Sequence, residues 1–176
     1  MTANRPTFRY ALGSTDAEHE RLIRQAARLG PLTERLFREA GIGPGQRVLD
    51  LGSGVGDVAM LAARLVGPAG EVLGVERDPR SIARARTRAD EAGLCNARFT
   101  QSDVNQISSD QLFDAAVGRL ILEFVPDPVA ALRSVSRLVR PGGVVAFHEV
   151  SHAPVLALSA HLPLWSASAS LITQTL

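Results

Sequence analysis

The chain has 176 residues, 45% of them hydrophobic and 21% charged, a composition that suits one globular domain and excludes a disordered, collagenous or coiled-coil chain. Nineteen basic residues oppose eighteen acidic ones, leaving a formal charge of +1 and no basic excess of the kind that nucleic-acid binding uses. All nineteen are arginine, so lysine Schiff-base and P-loop chemistry are excluded; Cys95 is the only cysteine, so there is no disulfide framework or cysteine-based zinc site.

Thr15 stands three residues before Glu18, a capping-box spacing. Leu22, Ala26 and Leu29 then recur at helical period, and Gly30 is expected to end that helix. Pro31 is expected to open another, with Leu32, Leu36 and Phe37 on one face and Gly41 as its stop. Residues 47–51 read as a short apolar strand, followed by a helix from Asp57 stopped by Gly67. A second strand (71–76), a helix from Pro79 to about Glu91, a third strand (97–101) and a fourth (113–118) follow. Asp127-Pro128 marks an N-cap and first helical position, with Val129, Leu132, Val135 and Leu138 as the expected buried stripe. Pro141-Gly142-Gly143 is expected to break the chain before a fifth strand at 144–147.

Apolar strands alternating with helices of about a dozen residues predict an α/β fold: a doubly wound, Rossmann-like parallel sheet of about five strands. Ligands of such sheets bind beyond the carboxyl ends of the strands. The loop after the first strand reads Asp50-Leu51-Gly52-Ser53-Gly54-Val55-Gly56-Asp57. Its glycines permit positive φ and close approach of a ligand to the backbone. A nicotinamide fingerprint would place glycine or alanine at position 57, which is aspartate here. Asp50 and Asp57 would repel a pyrophosphate but suit a cationic ammonium or sulfonium. Glu76 ends the second strand, where a carboxylate can accept both hydroxyls of a ribose. Asp103 follows the third strand and can accept from an exocyclic amine, while the Val104 N–H can donate to a ring nitrogen. Together these features fit an adenosine-containing ligand without a phosphate chain.

These residues resemble the class I S-adenosylmethionine-dependent methyltransferases, in five blocks taken in order. DLGSGVG at 50–56 is similar to their first motif, GVERDP at 74–79 to the second, and SDV at 102–104 to the adenine motif. FDAAVGRLILEFVPDP at 113–128 and LVRPGGVVAFHEV at 138–150 are similar to the later strand blocks. Within that family the match is to the small-molecule, ubiquinone-biosynthesis-like type. The resemblance implies S-adenosylmethionine as cofactor and a small organic acceptor. It implies cofactor contacts from Asp50, Gly52, Ser53, Gly54, Gly56, Glu76, Arg77, Asp103, Val104 and Leu120. It further implies that Tyr10 closes over the methionine end and that Arg119 lines the methionine half.

The same resemblance divides the chain into an N-terminal helical segment covering the cofactor (1–42), a cofactor-binding core (43–150) and an apolar helical tail (151–176). The family's C-terminal antiparallel hairpin has no sequence to make it, since the residues after Val150 read as helix. The fifth strand is therefore expected at a sheet edge, and self-association through that edge and the apolar tail is expected. His148 and Glu149 close the fifth strand, and either is a candidate general base. His152 and His161 have no acid or cysteine at metal spacing, so no metal is expected. The arginines at 77, 80, 84, 86 and 88 read as a solvated helix face, and Cys95 as packing. Neither a nucleic acid nor a membrane is an expected partner; the composition suggests a bacterial, cytoplasmic protein. A cofactor-binding module, inactive alone and either regulatory or completed by a partner, is the alternative to an enzyme.

Overall fold

The structure is a computed structural model that describes residues 13–104, 106–151, 157 and 161–175. Five parallel strands, β1 (Arg47–Leu51), β2 (Glu71–Glu76), β3 (Ala97–Gln101), β4 (Phe113–Arg119) and β5 (Val139–His148), form one sheet in the order β3-β2-β1-β4-β5. The helices are α1 (Asp16–Glu39), α2 (Asp57–Val66), α3 (Pro79–Glu91), α4 (Pro128–Ser136) and α5 (Pro163–Thr175). The chain order reverses direction beside β1, between β1 and β4, which is where doubly wound sheets open a ligand crevice. This is the Rossmann-like sheet expected from the strand and helix alternation.

Strand alternation sorts the core into two layers. Val48, Val72, Ala115 and Val117 pack with Phe37 of α1, α2, and Ile82, Ala85 and Ala89 of α3. Leu49, Leu51, Val75 and Ala116 pack on the other face with Val135 of α4. The central strands are buried on both sides, which is why apolar residues dominate β1 and β4, with the charged ones near the strand ends.

Three local expectations are corrected. Gly30-Pro31 does not divide two helices: α1 runs unbroken through both. Proline removes one backbone bond, but the buried stripe Ala26, Thr33 and Phe37 continues across it, and packing holds the helix together. Pro141-Gly142-Gly143 does not break the chain either; it bulges within β5. The register runs from Phe113↔Val139 to Ala115↔Val144, so two residues of β4 are matched by five of β5. Gly142 takes φ +78° there, and Arg140 pairs with Asp114 at 2.6 Å. Val129 is 55% exposed; the buried residues of α4 are Ala131 and Val135.

β5 forms one edge of the sheet among the described residues. Pro163 opens α5, and Leu164, Trp165 and Leu171 on that helix are exposed. Tyr10, His152, Leu156 and Leu158 lie outside the described residues. Among the described residues no helix is long and apolar enough to cross a membrane.

Candidate functional site

Two-residue alternation carries the α1–α3 face of each strand to a polar side chain at its carboxyl end. Val72 leads to Glu76, Val48 to Asp50, Val117 to Arg119 and Val144 to His148. Glu76, Asp50, Arg119 and His148 thus line up across β2, β1, β4 and β5 on one face, at the end where ligands bind.

The glycine loop joins β1 to α2. Gly52, Gly54 and Gly56 all take positive φ (+62°, +51° and +90°). A Cβ at Gly54 would point into open space, so a ligand can reach the backbone there, whereas the space above Gly52 is filled by Ile121. Gly56 caps α2, and a Cβ there would press on Phe99 and Ala85. The Gly54 N–H donates to Glu76 Oε2 at 3.0 Å. Glu76 Oε1 accepts from the Arg77 N–H at 2.7 Å and the Asp78 N–H at 3.0 Å. A carboxylate offers about four lone-pair positions. Backbone donors already use three, and the remaining capacity lies chiefly on Oε2.

Asp50 is fully buried, and neither carboxyl oxygen makes a hydrogen bond of good geometry among the described residues, the Ala59 N–H being the one backbone donor that acts on it. Burial pushes its pKa well above the usual carboxylate value, against the opposing pull of Arg119 and the Ala59 N–H. The Ser53 hydroxyl beside it is also buried and unpaired. Buried polar groups normally have partners, so a carboxyl and a hydroxyl left without one under an open glycine loop fit a cationic, hydrogen-bond-donating ligand. Asp57 plays a different part from Asp50: its carboxylate is paired with Arg88 at 2.7 Å, and Arg88 also donates to the Val55 carbonyl at 2.6 Å. That pair locks α2 to α3, so Asp57 serves packing as well as charge.

At the end of β3, Asp103 and Val104 sit beside the second strand's exit. Arg77 Nη1 lies 3.9 Å from Asp103 Oδ2. The Val104 side chain packs against the Leu49–Val75 cluster. Gln101 donates to the Arg77 carbonyl at 3.0 Å, tying β3 to the residue after Glu76.

Beyond β4 the chain turns sharply. Leu120 has φ +53°, the one non-glycine residue with positive φ among the described residues, and its N–H donates to the His148 carbonyl at 3.0 Å. Glu149 Oε1 accepts the Ile121 and Leu122 N–H groups at 3.0 and 3.2 Å, which seats Ile121 over Gly52. Burial raises the Glu149 pKa despite those two bonds. His148 Nδ1 lies 2.9 Å from Thr33 Oγ1, and Arg119 Nη1 donates to the same oxygen at 3.3 Å. Burial, then the Arg119 charge, lowers the His148 pKa; burial also lowers that of Arg119, opposed by Asp57 and Asp50.

α1 is held at both ends of this row. His19 lies 3.1 Å from Ser81 at the start of α3, and Arg84 pairs with Glu20 at 2.9 Å. Thr33 reaches the end of β5. The arginines of α3 are therefore not simply a solvated face: Arg84 and Arg88 bind neighbouring helices, and Arg86 donates to the Phe99 carbonyl at 2.7 Å. Cys95 is exposed rather than packed. Sequence reasoning missed Thr33, Arg88 and Ile121. Thr33 and His148 are 115 positions apart, and no local signal links them.

Comparison with known proteins places the chain in a family. A family profile described as "Methyltransferase domain" matches residues 42–174. An arsenite methyltransferase of Halobacterium salinarum is 33% identical over 112 residues, covering 63% of this chain and 29% of that protein. A demethylmenaquinone methyltransferase of Staphylococcus aureus is 29% identical over 119 residues, covering 67% of this chain and 48% of that one. The chain thus spans less than half the length of either relative. A solved structure from Methanococcus maripaludis shares the fold, with a TM-score of 0.70 at 20% identity over 95% of this chain and 78% of that one.

Proposed function

The chain belongs to the class I S-adenosylmethionine-dependent methyltransferases, and from that premise we propose that it binds S-adenosylmethionine and methylates a small organic acceptor. The observation that carries this reading is the unpaired, buried carboxyl of Asp50 under the open glycine loop, one strand from Glu76. In this reading Asp50 faces the ligand's ammonium, Ser53 and the Gly52–Gly54 backbone line its middle, and Glu76 accepts from the ribose. Asp103 and the Val104 N–H read the adenine edge, with Arg77 beside them. Arg119 and Leu120 bound the methionine half, and α1 covers the site. When bound, the cofactor supplies an electrophilic methyl on a positively charged sulfur, a good leaving group.

The protein's task is then to hold the acceptor in line and to exclude water. The acceptor itself supplies the nucleophile, so the chain needs none of its own. The small acceptors named for the two relatives, arsenite and demethylmenaquinone, support a small-molecule substrate here. The test is calorimetry with S-adenosylhomocysteine, followed by labelled-methyl transfer to arsenite, thiols, phenols and quinols. Binding with transfer to one of these supports the reading; binding to none of the adenosyl ligands removes it.

A second reading has its own observation. The exposed Leu164, Trp165 and Leu171 of α5 and the open edge of β5 suit an apolar contact. They support a cofactor-binding module that self-associates or works with a partner.

A further inference from the structure

Thr33 is fully buried in α1, and its hydroxyl meets three groups. The Leu29 carbonyl lies at 3.0 Å, His148 Nδ1 at 2.9 Å and Arg119 Nη1 at 3.3 Å. A hydroxyl has one proton and two lone pairs. The carbonyl can only accept and the guanidinium can only donate. All three contacts are satisfied together only if the Thr33 proton goes to Leu29 and Nδ1 carries a proton that it donates to Thr33. Nε2 is then the unprotonated nitrogen, and no described residue bonds it.

We propose, resting on the methyl-transfer reading, that Thr33 is a positioning residue that fixes His148 as its Nδ1–H tautomer, so that Nε2 serves as the base for an acceptor bearing a phenolic or enolic hydroxyl. The acceptor oxygen forms its bond to the methyl carbon of a methylsulfonium donor as the carbon–sulfur pair leaves on sulfur, giving a neutral thioether. The hydroxyl proton passes to Nε2, and the positive charge moves from sulfur to the imidazole. The neighbouring Arg119 then favours release of that proton to water.

The charges around the ring agree with this role. Arg119 faces it from β4, with Asp50 and Asp57 acting on Arg119 in turn. Thr33 is the α1 side chain that meets the ring, and α4 packs on the opposite face of the sheet. Glu149, next in the chain, turns its carboxylate to the Ile121 and Leu122 amides. Burial and Arg119 hold the imidazole below its usual pKa, so it is neutral near pH 7. A base of that strength suits an acidic hydroxyl; a thiolate or an arsenite needs none.

Nitrogen-15 NMR of the labelled chain reads the tautomer directly, with His148→Gln assigning the ring. The expected spectrum at pH 7 has a protonated Nδ1 and a bare Nε2. Thr33→Val is expected to shift the ring toward Nε2–H, and Thr33→Ser to keep the native pattern. Nε2–H in the unaltered chain, or a tautomer indifferent to Thr33→Val, overturns the proposal. With catechol as probe acceptor, methyl transfer is expected to fall about 100-fold in His148→Gln and to fall in Thr33→Val with rescue in Thr33→Ser. S-adenosylhomocysteine binding with unchanged catechol transfer in His148→Gln sinks this proposal alone; loss of that binding in the unaltered chain sinks the methyl-transfer reading instead. The tautomer needs no acceptor, so it can overturn the proposal even where catechol is not methylated.

Discussion

The Gly54 backbone N–H donates to Glu76 Oε2 at 3.0 Å, so the glycine loop after β1 and the acid after β2 form one hydrogen-bonded unit. A change at Glu76 should therefore act twice, through a lost ligand contact and through a loosened loop. Glu76→Ala is expected to weaken S-adenosylhomocysteine binding by about 1–3 kcal/mol. Asp103→Asn should weaken it less, because the amide keeps one acceptor oxygen for the adenine amine, whereas alanine at position 76 keeps none. Titration calorimetry on both variants ranks them; the reverse order would give Asp103 another role.

Asp50 should trade stability for binding. Its folded-state pKa lies above the unfolded value, because burial disfavours the charged form. The native chain then holds the proton more tightly, and the stability linked to this group is full below about pH 4 and declines as pH rises through the raised folded value. Asp50→Asn removes that dependence. Without ligand, the variant should melt at a higher temperature than the native chain at pH 8, with the gap closing toward pH 4, while its affinity for S-adenosylhomocysteine falls. Scanning calorimetry across that range checks the sign.

The Asp57–Arg88 pair is largely buried, each side chain 16% exposed, and Arg88 also holds the Val55 carbonyl. Arg88→Ala leaves Asp57 without its cation and opens the seam between α2 and α3. Urea denaturation should register a loss of about 2–4 kcal/mol. A loss under about 0.5 kcal/mol would mean that water replaces the guanidinium at little cost.

Self-association is expected through the β5 edge and α5. Val145 is 43% exposed at that edge, and Leu164 is 86% exposed on the helix. Light scattering should give a mass above that of one chain at micromolar concentration, and Leu164→Glu with Trp165→Glu should lower it. A monomer with slow amide exchange along residues 144–147 would contradict this.

Much of this architecture is legible in the sequence because its signals are local. Thr15 accepts the Glu18 N–H at 3.2 Å, Asp78 caps α3 and Asp127 caps α4, each at the position its residue type announces. Glu76 stands at the end of its strand, and the glycine loop lies where the spacing puts it. The errors have a common physical form. Gly30-Pro31 and Pro141-Gly142-Gly143 carry strong local breaking signals, yet burial of Ala26, Thr33 and Phe37 holds α1 together, and pairing with β4 holds β5 together. Tertiary packing overrides propensity at both. What the sequence could not reveal is long-range: Asp103 at its distance from Arg77, Arg88 beneath Asp57, and above all Thr33 against His148, whose meeting depends on how α1 lies across the sheet.

The most direct measurement is isothermal titration of the chain with S-adenosylhomocysteine and, separately, with NAD. The expected result is one adenosyl ligand bound per chain, weakened by Glu76→Ala and by Asp50→Asn, and no heat from NAD. Tight NAD binding, or adenosyl binding indifferent to both substitutions, would contradict the site described.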